Sequence, residues 1–424
     1  MKEYLNKLPE EIFALLCLAR DIAYYNSMPV YLVGGFVRDL ILGVENLDLD
    51  IVVEGDGIKF AEDFSAKLKA KLIRHRRFGT ATIILKPRLK IDIATARSEF
   101  YPEPAHLPVV NSGTLQDDLY RRDFTINAMA ISIDKKNFGK LIDFFGGNGD
   151  LAAKKIRVLH ALSFIDDPTR ILRAIRFEQR YNFSIESKTM KYLRKAIKLK
   201  MLEKVEPQRI RDDLILILKE DHPSREIKRL WELAGFSFIN RCLSMSKKSY
   251  GLLASIEKQI NWFARTCSRH RQLDVWLIYF MGLLDSLNIN VIKDICRKLA
   301  LRKGEEKKIL TYKRISSKLI PELDKDKIKP SKLFALFEPL SYEVIILFKA
   351  KYKSRNIQKH TEDFFRNYNG MSIYVSGDDL GRLGVAPGPC YQKIFKKVLN
   401  AKLNGLVKTK EEELTLVEKL IKSK

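Results

Sequence analysis

The sequence predicts an α+β fold, a mixed strand-and-helix head followed by a chain that is helical to its end. Three observations carry this. Strand and helix signals alternate up to about residue 134, helical periodicity takes over after about residue 155, and 46% of the 424 residues are hydrophobic, enough for packed cores. A chain of this length predicts more than one structural unit.

The elements follow in order. Residues 4–26 read as an amphipathic helix leading into a strand at Tyr31-Leu-Val33. Gly34-Gly35 makes a turn, residues 36–43 read as a helix, and a second strand opens at Asp48-Leu-Asp50-Ile-Val-Val53. Segments 81–85, 90–95 and 129–133 are rich in β-branched residues and read as strands. Residues 98–116, with Pro102, Pro104, Pro108 and the turn Asn111-Ser-Gly113, read as a loop. In the helical part, Pro321 and Pro330 flank a lysine-rich joint, and a proline and glycine cluster at 384–389 separates two helices. No internal repeat or low-complexity tract interrupts the pattern. The expected division is a head at 1–150, a neck at 151–225, a body at 226–330 and a tail at 331–424.

The formal net charge is +25 and the pI about 9.7, which makes an extended polyanion the leading partner and an anionic membrane surface the rival. No apolar run has the length of a membrane span, and the opening Met1-Lys-Glu-Tyr-Leu-Asn6 lacks the layout of a signal peptide. Five scattered cysteines without a CxxC, and six histidines without an H-x₃-H cluster, argue for a reducing, cytoplasmic setting and against zinc.

Chemistry concentrates near the second strand. A strand sends residues i and i+2 to one face, so Asp48 and Asp50 point the same way. Two adjacent carboxylates repel unless a cation lies between them, and hard Mg²⁺ suits all-oxygen ligands that leave room for phosphates. The Gly34-Gly35 backbone carries no Cβ to bar a triphosphate. Together these parts point to nucleotidyl transfer.

Four more segments follow. They are Arg121-Arg-Asp-Phe-Thr-Ile-Asn-Ala-Met129, the glycine-rich Asp143-Phe-Phe-Gly-Gly-Asn-Gly-Asp150, Asp166-Asp-Pro-Thr-Arg170-Ile-Leu-Arg-Ala-Ile-Arg176, and Val205-Glu-Pro-Gln-Arg209-Ile-Arg-Asp-Asp213. Taken in order with the first, they resemble the class II tRNA nucleotidyltransferases, in the superfamily that includes bacterial poly(A) polymerase. The resemblance spans about the first half of the chain; a weaker one covers residues 376–409.

The resemblance implies a polymerase-β-type nucleotidyltransferase head with helical neck, body and tail. It implies that Asp48 and Asp50 hold Mg²⁺, with Gly34, Gly35, Arg38 and Asp39 on the phosphate side. Asp92, on a neighbouring strand, is either a base for the primer hydroxyl or a salt-bridged edge residue. Arg122 and Asp123, supported by Arg121 and Asn127, are implied to grip ribose hydroxyls. The segment 143–150 is implied to be a hinge. Asp167 and Arg170 are implied to read the incoming base in place of a nucleic acid template, with Arg173 and Arg176 following on the same helix. A carboxylate accepts from the exocyclic amine of C or A, and an arginine donates to the adjacent ring nitrogen. Where the family usually has Glu, this chain has Asp166, one methylene shorter; an i,i+4 pair with Arg170 is the expectation. The fifth segment is expected only to support a helix turn.

The implied substrates are CTP, ATP and the acceptor and adjoining stems of tRNA. Family members add CCA, CC or only A, and others add poly(A). The resemblance implies that the region between Arg97 and Arg121 is the family's flexible loop, which CC-adding members tend to lack in part; its full length here favours CCA or A addition. A catalytically silent RNA-binding protein and a small-molecule nucleotidyltransferase are the alternatives.

Overall fold

Seven strands make one mixed sheet. In chain order they are β1 (Val30–Val33), β2 (Leu49–Val53), β3 (Lys71–His75), β4 (Thr80–Lys86), β5 (Leu89–Thr95), and, after a separate hairpin of β6 (Arg97–Phe100) and β7 (Val109–Ser112), β8 (Ala130–Ser132) and β9 (Leu141–Ile142). The computed structural model that shows this describes residues 5–6, 8–86, 89–267 and 271–422. The spatial order is β3-β4-β5-β2-β1-β8-β9, with β2 and β5 parallel and all other neighbours antiparallel. β1 and β2 are the middle of this sheet, which is why their sequences read as nearly unbroken apolar runs.

Helices Glu10–Tyr25 and Gly57–Leu68 pack against each other, and the second lies on β4 and β5 through Phe60, Ala61 and Phe64. The first was expected at 4–26. It begins at Glu10 because Pro9 lies in an extended conformation, while residues 4 and 7 fall outside the described residues. Tyr31, Val33, Val52 and Ala130 pack with Leu115 and Leu119 of helix Leu115–Tyr120. That helix is fixed at its start by a capping box between Thr114 and Asp117.

The segment read as a loop at 98–116 is a hairpin instead, pairing Arg97 with Ser112 and Phe100 with Val109. Its three prolines are confined to the connection between the strands, so none removes a ladder donor. Beyond Ile185 all regular elements among the described residues are helices.

The chain divides into two units. One holds residues 1–214 with 232–234, the other 215–231 with 235–424. In the second, helices Val275–Leu283 and Tyr342–Lys351 are buried along nearly their whole length, as expected for helices apolar on most sides. The joint expected between Pro321 and Pro330 lies between helices Lys303–Leu323 and Pro330–Phe337. The 384–389 cluster separates helices Gly377–Arg382 and Pro389–Leu403, which share a small apolar cluster with Val417. No helix among the described residues is long and apolar enough to cross a membrane.

One buried charge in this unit has a measurable consequence. Glu343 is fully buried, where desolvation alone would push its carboxyl up. A two-bonded fork from Arg271 (2.9 Å to each oxygen) and the Asp274 N–H outweigh this and hold it at about 2. A depressed carboxyl stabilises the folded state above its ordinary value and ceases to do so as pH falls through the folded one. Wild type is therefore expected to lose on the order of 3 kcal/mol relative to Glu343→Gln as pH drops from about 4.5 to about 2, read by denaturant unfolding.

Candidate functional site

The site begins where β1 turns into helix Gly34–Leu42. Gly34 holds φ at +70°, and a Cβ there would lie 2.7 Å from Arg122 Nη1 and 3.3 Å from Asp50 Oδ2. Only glycine meets both demands. One turn on, buried Arg38 forks onto Asp39 with two 2.8 Å bonds and donates to Asn127 Oδ1 at 2.6 Å. The Phe177 and Tyr181 rings lie 5.3 and 4.8 Å from its guanidinium carbon. Asp39 also accepts from Tyr181 and Asn46, so its carboxylate faces Arg38 and not the cleft.

The carboxylates come next. Asp48 stands exposed just before β2, and Asp50 is the second residue of that strand. Asp92 on β5 is the direct register partner of Asp50 across the parallel pair, so the two share a face. Thr82 Oγ1 donates to Asp92 at 2.6 Å. Burial foremost, with Asp92 and Asp48 adding to it against Arg122, pushes Asp50 up to about 6. Among the described residues no three His, Cys, Asp or Glu side chains are grouped closely enough to hold a metal ion. The donors near Asp50 are nonetheless all oxygen and mutually repelling, which fits a hard divalent cation shared with substrate oxygens.

Helix Leu115–Tyr120 then delivers Asp118, fully buried. Its Oδ1 accepts from Arg121 Nε and Nη2 (3.0 and 2.6 Å), and its Oδ2 from Arg122 Nη2 (2.9 Å). Burial would raise its carboxyl, but Arg122 and Arg121 outweigh that and hold it below the ordinary range. Asp123 accepts from Asn127 Nδ2 and the Phe124 N–H on one oxygen, and from Arg173 Nε and Nη2 on the other. Asp39, Arg38, Asn127, Asp123 and Arg173 thus form one hydrogen-bonded relay.

The opposite wall departs from expectation in one respect. Asp166 ends the short helix Ser163–Asp166, Asp167 is extended (φ −130°, ψ 93°), and a new helix runs Thr169–Arg180. Pro168 disfavours helical backbone at the residue before it, so Asp166 and Arg170 do not share a helix. Arg170 is held instead by Ser163 Oγ (2.6 Å) and the Arg121 carbonyl (2.7 Å). Asp166 lies 3.8 Å from His160, whose ring burial and Arg170 push down to about 4, so the imidazole is neutral near pH 7. Asp167 accepts from the Thr169 N–H and hydroxyl and from Arg209, all on Oδ1.

Within 143–150, Gly147 is closely packed while a Cβ on Gly149 would meet open space. Asp143 accepts from the Gly147 and Asn148 N–H groups, and a Cβ on Gly147 would lie 2.2 Å from the Thr125 carbonyl.

These parts enclose a cleft of about 430 Å³. Gly34, Gly35, Arg38, Asp50, Arg121, Arg122, Asp123, Asn127, Asp167, Arg170, Arg173 and Arg176 line it; Asp39, Asp48, Asp92 and Asp166 do not. Its lining holds seven arginines against four carboxylates, a field suited to a polyphosphate. Sequence reasoning missed Asp118, Glu99, Tyr101 and Arg180. Asp118 had a signal, its i,i+3 and i,i+4 spacing to Arg121 and Arg122.

Known proteins resemble the chain over these same regions. A family profile described as "Poly A polymerase head domain" matches residues 30–157, and one described as "Probable RNA and SrmB- binding site of polymerase A" matches 182–243. The A-adding tRNA nucleotidyltransferase of Geobacter sulfurreducens is 36% identical over 98% of this chain, which spans 48% of that longer protein. That of Halalkalibacterium halodurans is 30% identical over 99% of this chain and 95% of its own length. A solved structure of the Thermotoga maritima CCA-adding enzyme complexed with tRNA is 35% identical, with a TM-score of 0.72 over 99% of this chain and 98% of that one.

Proposed function

Because the chain belongs to the family of tRNA nucleotidyltransferases built on the poly(A) polymerase head, we propose that it extends tRNA 3′ ends from nucleoside triphosphates, with the terminal A of CCA as the addition best supported. The observation that carries this is the Asp50–Asp92 pair at the edge of an arginine-lined cleft whose far wall presents Asp167 and Arg170. Two relatives aligned over nearly the whole chain bear A-adding names, which favours A. Full CCA addition from CTP and ATP is the second reading, favoured by the Thermotoga maritima structure. A cytoplasmic setting follows from these substrates.

In this reading the triphosphate lies against Arg38, Arg121 and Arg122, whose charges are pre-oriented by Asp39, Asp118 and Glu99. Arg122 and Asp123 stand at the ribose. Asp167 Oδ2, which receives none of that residue's three hydrogen bonds, faces the adenine amine, and Arg170 faces the adjacent ring nitrogen. The tRNA 3′-oxygen attacks the α-phosphorus, a new P–O bond forms, and pyrophosphate leaves. Asp92, exposed beside Asp50, takes the hydroxyl proton. Asp48 and Asp50 would hold Mg²⁺, which when bound supplies charge neutralisation at the transferring phosphate.

Three tRNA transcripts, ending before CCA, after its first C and after CC, test the reading with ATP and CTP. ATP incorporation confined to the CC end is expected for A addition, and incorporation at all three for CCA addition. Unlimited extension of arbitrary RNA would make it a poly(A) polymerase, and no incorporation anywhere would end the proposal.

A further inference from the structure

We propose that Arg209, from helix Pro207–Leu218, is a positioning residue that sets which base the cleft accepts. The assignment rests on the functional reading above and names a specificity determinant of the same site.

One guanidinium joins two pieces of chain. Arg209 Nη2 donates to Asp167 Oδ1 at 2.7 Å, and Nη1 donates to the Ala105 carbonyl at 3.3 Å. Ala105 lies in the connection between β6 and β7, and its N–H approaches the Ile165 and Asp166 carbonyls, both at 3.2 Å. Its φ is +66°, a left-handed conformation that alanine rarely adopts, and it is 3% exposed. A strained residue persists only where its surroundings over-determine it, and here the surroundings are the segment that carries Asp167. Arg209 therefore clamps the hairpin connection and the base-facing carboxylate together.

The clamp has a consequence at atomic level. Thr169 supplies two donors to Asp167 Oδ1 and Arg209 a third. With Oδ1 taken, the carboxylate plane is fixed and Oδ2 is left for the base edge. A fixed acceptor favours the amine of adenine and repels the carbonyl oxygen that guanine carries in its place. Thr169 alone, only two residues away in sequence, leaves the side chain freer to turn. Lysine at 209 keeps the charge and three donors but places them on one nitrogen, without the rigid fork that holds both acceptors in place.

The test compares wild type, Arg209→Lys and Arg209→Ala on a tRNA ending in CC, with ATP and GTP in competition. Arg209→Ala is expected to lower the ATP-over-GTP ratio of kcat/KM by about tenfold or more, with Arg209→Lys between it and wild type. The loss is expected in KM for ATP, with KM for tRNA unchanged, a split that general destabilisation does not produce. If Arg209→Ala fails to fold, Arg209→Lys decides alone. An unchanged ratio, or equal losses for both substrates, overturns the assignment while wild type still transfers A. A wild type that transfers nothing to any tRNA end overturns the functional reading itself, and this inference with it.

Discussion

Asp50→Ala is expected to abolish nucleotide transfer, with kcat falling on the order of 10³-fold or more, while tRNA binding is kept. The reasoning is electrostatic. Asp50 is the one carboxylate of the trio that lines the cleft, and it stands in register with Asp92. Burial and two neighbouring acids make its charge costly in the folded chain. Removing that charge should leave the fold intact or slightly more stable, as is common where a site stores unfavourable energy for chemistry. The measurements are single-turnover transfer, a tRNA gel shift and a thermal melt on one preparation. Transfer surviving in the double variant Asp48→Ala, Asp50→Ala would end the assignment of these acids.

Asp118→Ala is expected to damage stability and catalysis together. Asp118 is fully buried and its two oxygens are shared by Arg121 and Arg122. Removing it leaves two part-buried guanidiniums without their shared anion, Arg121 keeping only Glu99, a cost of about 3 kcal/mol. Arg122 has little reserve, because its Nε is already buried without a partner. The denaturant midpoint should fall by a corresponding amount. The KM for ATP should rise in Asp118→Asn, which keeps the shape but lacks the charge that orients both arginines. A stable Asp118→Ala variant with wild-type ATP kinetics would show that the arginines need no such anchor.

What was legible in the sequence is what short-range spacing encodes. The Gly34-Gly35 turn, Asp50 of β2, and the 121–127 and 166–176 segments each stand out within a few residues, and most of those residues line one cleft. Distance along the chain hid the rest. Arg209 meets Asp167 across 42 positions and Ala105 across 104, and no local pattern reports such pairings. The hairpin at 97–112 was masked by its prolines, which turned out to sit only in the connection. Asp39 looked like a ligand for phosphate and is instead turned toward Arg38. The expected Asp166–Arg170 pair failed because Pro168 breaks the helix between them.

The missing side chain at Gly34 limits how the protein can evolve. Any larger residue there would evict Arg122 as well as strain the turn, so drift on that wall is penalised before it can be sampled. The wall of 163–170 is built from side-chain hydrogen bonds of Thr169 and Arg170 rather than from a position that only glycine can fill. Descendants of this chain with altered nucleotide preference should therefore arise from changes on the second wall, against a first that stays frozen.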